Sequence, residues 1–301
     1  MKLLITGSKG FIGRRLEQLY KENNNLVYGW DVDGVYFDDR EVSKANMLNP
    51  NDTYEVMNAI KPDLIIHCAG SADVNKSVIN PLDDLKGNYI TTENILFAIK
   101  KCNLENTKFV LLSSAAVYGN PLKLPMSELE PINPLSPYAL HKKAAEDVCL
   151  FMSNNYGIKC KIARIFSVYG PGLKKQIFWD MHKKIQKTGK LEMFGSGDES
   201  RDYIFIDDLI EAIYLVSLDE SDNLIFNIAN GIEVKIRDVA QKFADAIGLG
   251  KKNIYFTGSR REGEPINWKA DITKLKNLGY KQKVSFDMGV VMYADWLKSL
   301  R

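Results

Sequence analysis

The sequence predicts an α/β protein, a doubly wound parallel sheet followed by a smaller C-terminal α/β domain. Three observations carry this. Five short apolar runs, Leu3–Thr6, Leu26–Trp30, Asp63–His67, Phe109–Leu112 and Lys161–Ile165, stand far enough apart for crossover helices between them. Amphipathic stretches at Phe11–Tyr20, Leu85–Lys101 and Tyr138–Asn155 occupy intervals between those runs, the pattern of strands buried under helices on both faces. After residue 168 the rhythm loosens at Gly170-Pro171-Gly172, which marks the start of a second domain.

The first run, in Met1–Gly7, is too short for the apolar region of a signal peptide and reads as the opening strand. Thr6-Gly7-Ser8-Lys9-Gly10-Phe11-Ile12-Gly13 follows directly and opens a helix. At a strand-to-helix turn, glycines let backbone N–H groups approach a pyrophosphate at the positive end of the helix. That makes the fold Rossmann-type and the first domain, residues 1–168 with completion by later segments, a dinucleotide-binding one. The second run ends at Asp31, 18 residues beyond Gly13, where a carboxylate accepts from the adenosine ribose and repels a 2′-phosphate. NAD is therefore favoured over NADP, although Lys9, a basic residue inside the turn, pulls the other way.

The run Phe109–Leu112 ends at Ser113-Ser114, at the sheet edge where ligands bind in such folds. The five prolines of Gly119–Pro137 make the next segment a structured loop. In the helix that follows, Tyr138 and Lys142 are four residues apart and share a face. A cation beside a phenol stabilises the phenolate and lets it act as a base. An isolated pair at this spacing is by frequency a surface pair; the two serines make it a catalytic one. Asp207-Asp208 reads as a helix N-cap before Leu209–Val216, not as a metal site.

Composition narrows the partners. Of 301 residues, Lys+Arg number 40 and Asp+Glu 38, a net charge of +2, and no basic patch with interleaved aromatics proposes nucleic acid. No apolar stretch is long enough to span a membrane. Cys68, Cys102, Cys149 and Cys160 lack metal-site spacing and suit reduced thiols. A soluble, cytoplasmic protein is the expectation.

The ordered set Thr6–Gly13, His67-Cys68-Ala69-Gly70, Asn88, Ser113–Gly119, Pro137-Tyr138 with Lys142, Arg164–Pro171, Arg201-Asp202-Tyr203 and Arg261–Glu264 resembles the extended short-chain dehydrogenase/reductases that act on nucleotide sugars, in the epimerase/dehydratase branch. The resemblance implies a catalytic base at Tyr138, a ribose-binding lysine at Lys142 that lowers the tyrosine pKa, and a sugar-positioning hydroxyl at Ser114. It implies NAD contacts from Gly7, Gly10, Phe11, Ile12, Gly13, Asp31, Asn46, Met47, Cys68, Ala69, Gly70, Asn88, Tyr138, Lys142 and Phe166. Residues 169–301 become the nucleotide-sugar domain, with Ser114, Ser167, Arg201, Arg261 and Glu264 toward substrate, and a homodimer forms through Leu85–Lys101 and Tyr138–Asn155.

Three positions depart from the family pattern. Ser167 replaces an asparagine that contacts the diphosphate, and Asn46 replaces an aspartate at the adenine. Ala115-Ala116 stand where 4,6-dehydratases carry an acid and a base. The implied reaction is hydride transfer at C4 of a nucleotide-diphosphate sugar, as a 4-epimerase. A C4 dehydrogenase or 4-ketoreductase is the enzymatic alternative, and a non-catalytic NAD-binding sensor the remote one.

Overall fold

Each apolar run of the first half becomes a strand. In the computed structural model, which describes residues 1–250, 253–259 and 265–300, β1 (Lys2–Thr6) leads into α1 (Phe11–Glu22) and β2 (Leu26–Asp31). Then come β3 (Gly34–Phe37), β4 (Arg40–Ser43), α2 (Pro50–Ile60), β5 (Leu64–His67), α3 (Val74–Ile79), α4 (Pro81–Leu85) and α5 (Thr91–Lys101). After these run β6 (Lys108–Ser114), α6 (Pro137–Tyr156), β7 (Lys159–Ile165) and β8 (Ser167–Tyr169). The remainder holds α7 (Gln176–Thr188), β9 (Leu191–Met193), β10 (Ser200–Phe205), α8 (Ile206–Leu218), β11 (Ile225–Ile228) and β12 (Glu233–Lys235), then α9 (Ile236–Ile247), β13 (Ile254–Phe256), α10 (Thr273–Asn277) and α11 (Phe286–Lys298).

The large sheet has the order β11-β7-β6-β5-β1-β2-β3-β4. Within it β2, β1, β5 and β6 pair in parallel, with Thr6 opposite both Trp30 and His67, and His67 opposite Leu111. Leu3, Leu4, Ile5, Leu64, Ile65, Ile66, Phe109, Val110 and Leu111 are buried, as strands covered on both faces require. The sequence pattern missed β3 and β4, which pair antiparallel at the edge. Only Val32 and Asp33 separate β2 from β3, a connection that permits a hairpin and no crossover.

Local signals set the helix ends. Ser136 caps α6 by accepting from the Ala139 N–H, Pro137 occupies its first turn, and Gly157 ends it at φ 68°. The stretch Leu85–Lys101 is not one α-helix: Lys86–Ile90 widens into a π turn before α5. There the hydroxyls of Thr91 and Thr92 donate back to the carbonyls of Gly87 and Asn88, the kind of side-chain competition that loosens a helix.

The chain forms two compact units that interleave. One comprises Met1–Val117, Ile132–Arg164 and Ile213–Phe226; the other comprises Tyr118–Pro131, Ile165–Ala212 and Asn227–Arg301. The chain thus passes between them at 117/118, 131/132, 164/165, 212/213 and 226/227. In the second unit β10 pairs with β8 in parallel and with β12 antiparallel, above a cluster of Tyr169, Phe178, Tyr203, Phe205 and Phe286. Asp207-Asp208 do not cap α8, which begins at Ile206. Asp208 is buried and accepts from the N–H groups of Lys283 and Val284 at 3.0 and 3.1 Å, so it anchors a loop.

Two buried polar arrangements bind the first unit together. Arg164 of β7 forks onto Glu146 of α6, with Nη2 2.7 Å from Oε2 and Nε 3.0 Å from Oε1, and Ser113 of β6 donates to the same carboxylate. His67 sits between Thr6 and Thr91, its Nδ1 2.7 Å from one hydroxyl and its Nε2 3.3 Å from the other. Burial, with help from the Lys142 charge, pushes the imidazole down to about 3.

Glu146→Ala leaves a buried guanidinium without its carboxylate, a loss of about 3–5 kcal/mol in such cases; calorimetry is expected to show a large fall in melting temperature, far beyond that of removing the exposed Glu220. The His67 ring is neutral in the fold, while the unfolded chain binds a proton below its ordinary value of 6.5. Its contribution is full above that pH and is lost as pH falls toward 3. Urea unfolding at pH 7 and pH 5 is therefore expected to show wild type losing about 2 kcal/mol more than His67→Gln.

Candidate active site

The parallel pairing places the carboxyl ends of β6, β5, β1 and β2 side by side, and the glycine turn, Asp31, the Cys68–Gly70 segment and Ser114 each lie at one of them. After β1, Gly7 takes φ +65°, and a Cβ there would come within 2.8 Å of the Ala69 nitrogen. At Gly13 a Cβ would fall 2.2 Å from the Gly7 carbonyl oxygen. Only glycine permits both approaches, so the turn lies pressed against the segment after β5. Gly10 stands at the N-cap of α1 without a side-chain cap, and the first turn, with Phe11, Ile12 and Gly13, holds no acidic residue. The positive end of the helix is thereby kept for an anion.

At the end of β2, Asp31 accepts the N–H of Lys9 through Oδ2 and that of Val32 through Oδ1, each at 2.9 Å. Asn46 is exposed, and its Oδ1 accepts from the Leu48 N–H at 3.0 Å; the neighbouring Met47 is buried and its carbonyl accepts from Asn94. After β5, burial pushes the Cys68 thiol up, which suits a lining group and not a nucleophile. Asn88, in the π turn, is buried and donates through Nδ2 to Asp84 at 3.0 Å, while its Oδ1 has no partner. A Cβ at Gly70 would lie 2.4 Å from that oxygen. An orphaned buried acceptor beside a side-chain-free backbone is a place for a ligand donor, and it fits a dinucleotide lying over Ala69 and Gly70.

After β6, Ser114 ends the strand and Ala115 and Ala116 open a tight turn; the Ser114 Oγ accepts from the Ala116 N–H at 3.2 Å. Tyr138 and Lys142 are both buried on one face of α6. The Lys142 ammonium donates to the Leu112 carbonyl at 2.9 Å. Burial brings that lysine down to about 8, against the charges of Asp84 and Glu146. Burial also pushes the Tyr138 phenol up to about 12; a hydrogen bond with Ser114 opposes the rise and the Asp84 charge adds to it. The phenol is thus raised by loss of solvent, against the expectation from its spacing to Lys142 that it is lowered. Ser114 thus lies beside Tyr138, with Lys142 one helical turn further along α6.

Sequence reasoning missed three supports. Glu146 continues the Tyr138, Lys142 spacing by one more turn, a signal that was present. Buried Asp84 and partly buried His141 form a pair, Oδ2 to Nδ1 at 2.7 Å, between residues too far apart in the chain for any local pattern to report.

In the second unit, Phe166 is buried against the Tyr118 and Trp268 rings, and Ser167 opens β8 opposite Tyr203. Arg201 donates through Nη1 to the carbonyls of Ser200 and Ile266 and lies 5.3 Å over the Trp268 ring. Arg261 and Glu264 lie outside the described residues. Among the described residues no helix is long and apolar enough to cross a membrane, and no His, Cys, Asp or Glu group is arranged to hold a metal.

Comparison with known proteins agrees with this geometry. A putative UDP-glucose 4-epimerase of Methanocaldococcus jannaschii is 31% identical, over 99% of this chain and 98% of its own length. Among solved structures, UDP-glucose 4-epimerase of Thermotoga maritima with UDP-glucose is 26% identical with a TM-score of 0.88. UDP-glucuronic acid 4-epimerase from Bacillus cereus, in complex with UDP-glucuronic acid and NAD, is 28% identical with a TM-score of 0.88, and each match covers 100% of both chains. The family model for the NAD dependent epimerase/dehydratase family matches residues 3–229, and the chain belongs to that family.

Proposed function

We propose that this chain is an NAD-dependent nucleotide-sugar 4-epimerase with Ser114, Tyr138 and Lys142 as its catalytic residues. One observation carries the reading: Tyr138 and Lys142 are buried on one face of α6, and the Lys142 ammonium is tied to the Leu112 carbonyl, two residues before Ser114 at the end of β6. The amides of the turn at Gly7, Gly10, Phe11, Ile12 and Gly13 would hold the NAD pyrophosphate, with Asp31 on the adenosine ribose and Asn46 and Met47 beside the adenine. Cys68, Ala69, Gly70 and Asn88 would line the cofactor, and Lys142 and Phe166 would meet its nicotinamide half. When bound, NAD supplies a positive charge and the carbon that accepts a hydride.

Ser114 holds the sugar C4 hydroxyl against the Tyr138 oxygen. Tyr138 takes the hydroxyl proton as C4 gives up its hydride, which turns the alcohol into a ketone. Because burial holds the phenol near 12, this proton transfer depends on positive charge alongside it, part of which Lys142 provides. That hydride would be held by bound NAD and could return once the keto sugar offers its opposite face; Tyr138 then releases its proton to the oxygen, which leaves C4 inverted. No second acid or base is needed, which matches Ala115 and Ala116.

The relatives named above act on or bind uridine diphosphate sugars, so UDP-hexoses are the substrates to try first. Ser167, Arg201, Arg261 and Glu264 would bind the nucleotide diphosphate, guanidinium being suited to phosphate. A homodimer through α5 and α6 is supported by the exposed Phe97, Leu140 and Phe151 on those helices. The four free cysteines support a cytoplasmic location.

Native protein given UDP-sugars without added cofactor is expected to interconvert C4 epimers by NMR. Tyr138→Phe should lower that turnover by about 10²–10⁴-fold with the NAD released on denaturation unchanged; turnover only on cofactor addition would indicate a dehydrogenase or ketoreductase instead. The same spectra are expected to contain no 4-keto-6-deoxy sugar, and its appearance would sink the assignment of Ala115 and Ala116.

A further inference from the structure

The hairpin that joins β2 to β3 carries a second carboxylate. Asp33 lies two residues beyond Asp31, and its Oδ2 is 2.5 Å from the Lys9 ammonium. The same ammonium stands 3.7 Å from the centre of the Tyr36 ring. Lys9 belongs to the glycine turn, immediately before Gly10, and its backbone N–H donates to Asp31 Oδ2. The turn and both carboxylates therefore form one cluster at the end of β2, where this fold places the adenosine ribose.

Both side chains are about half exposed, at 43% and 52%, so the pair adds little to stability. What it fixes is the direction of the charge. Asp33 and Tyr36 hold the Lys9 ammonium up at about 12, and Lys9 holds the Asp33 carboxyl below its usual range. The pair stays ionised across the neutral range. A lysine at this place in the turn would otherwise be an attractive partner for a 2′-phosphate.

We infer that Asp33 is a specificity-determining residue: by binding Lys9 it withdraws the cation of the glycine turn from a 2′-phosphate and adds its own charge to that of Asp31, so that the site takes NAD and rejects NADP. This rests on the NAD reading above. It makes the preference depend on a surface ion pair in addition to Asp31, and it predicts that the preference weakens when Asp33 alone loses its charge.

The test is calorimetric titration of the full-length protein, freed of nucleotide, with NAD and with NADP. Wild type is expected to bind NAD much the tighter. Asp33→Asn should tighten NADP by about tenfold and change NAD by less than about threefold, since one like charge is removed and one cation released. The part of the gain due to the released cation should disappear in Lys9→Gln/Asp33→Asn, leaving a clearly smaller one. No change in NADP affinity in Asp33→Asn, or an equal gain in the double variant, overturns the inference while leaving the NAD reading intact. Wild type that binds neither nucleotide overturns both. Asp33→Ser replaces the asparagine variant if thermal unfolding shows that the latter is not folded.

Discussion

The position of α6 depends on one buried fork, Arg164 on Glu146. A guanidinium and a carboxylate out of water are costly apart and tolerable only in a narrow geometry, so the pair sets the height of the helix over β6 and β7. Ser113 completes the shell of that carboxylate. Because Tyr138, Lys142 and Glu146 follow one another at intervals of four, fixing the last places the first two over the end of β6. Such a pair adds little net stability compared with apolar packing; its effect is that alternative placements of the helix are worse.

The same dryness sets the chemistry. Removing water from the site raises the phenol and lowers the ammonium, both toward the neutral form. A positive charge brought next to the phenol in that medium acts with little screening. Ligand binding and proton transfer are thus coupled through the dielectric. Asp84 adds to the rise on the tyrosine and supports the charge on the lysine, from one carboxylate held by Asn88 and His141.

Much of this was legible in the chain. The buried parallel strands announced themselves as apolar runs, and the glycine turn, Asp31, Ser114, Tyr138 and Lys142 fall where their spacing placed them. The hairpin of β3 and β4 was not legible, because β4 is exposed along its whole length and its sequence, Arg-Glu-Val-Ser, lacks any buried signal. Nor was the interruption in Leu85–Lys101, since periodicity does not separate a π turn from an α-helix. The Asp84 pair and the Lys9–Asp33 pair join residues far apart in the chain, and no local pattern reports such contacts. The direction of the Tyr138 shift escaped for another reason: sequence spacing names the neighbouring charge but not the solvent that is lost.

The interleaving of the two units governs the order in which the protein can be completed during synthesis. The first unit ends with Ile213–Phe226, a stretch made only after Ile165–Ala212 of the second. A nascent chain therefore cannot close its first unit while the ribosome is still within the first two hundred codons. Strand β11, on the edge of the large sheet beside β7, arrives last of all its strands. Until then β7 presents an unpaired, apolar edge, the kind of surface that recruits chaperones or aggregates. No contiguous fragment can stand in for the first unit, and a gene split at residue 168 would yield two incomplete cores.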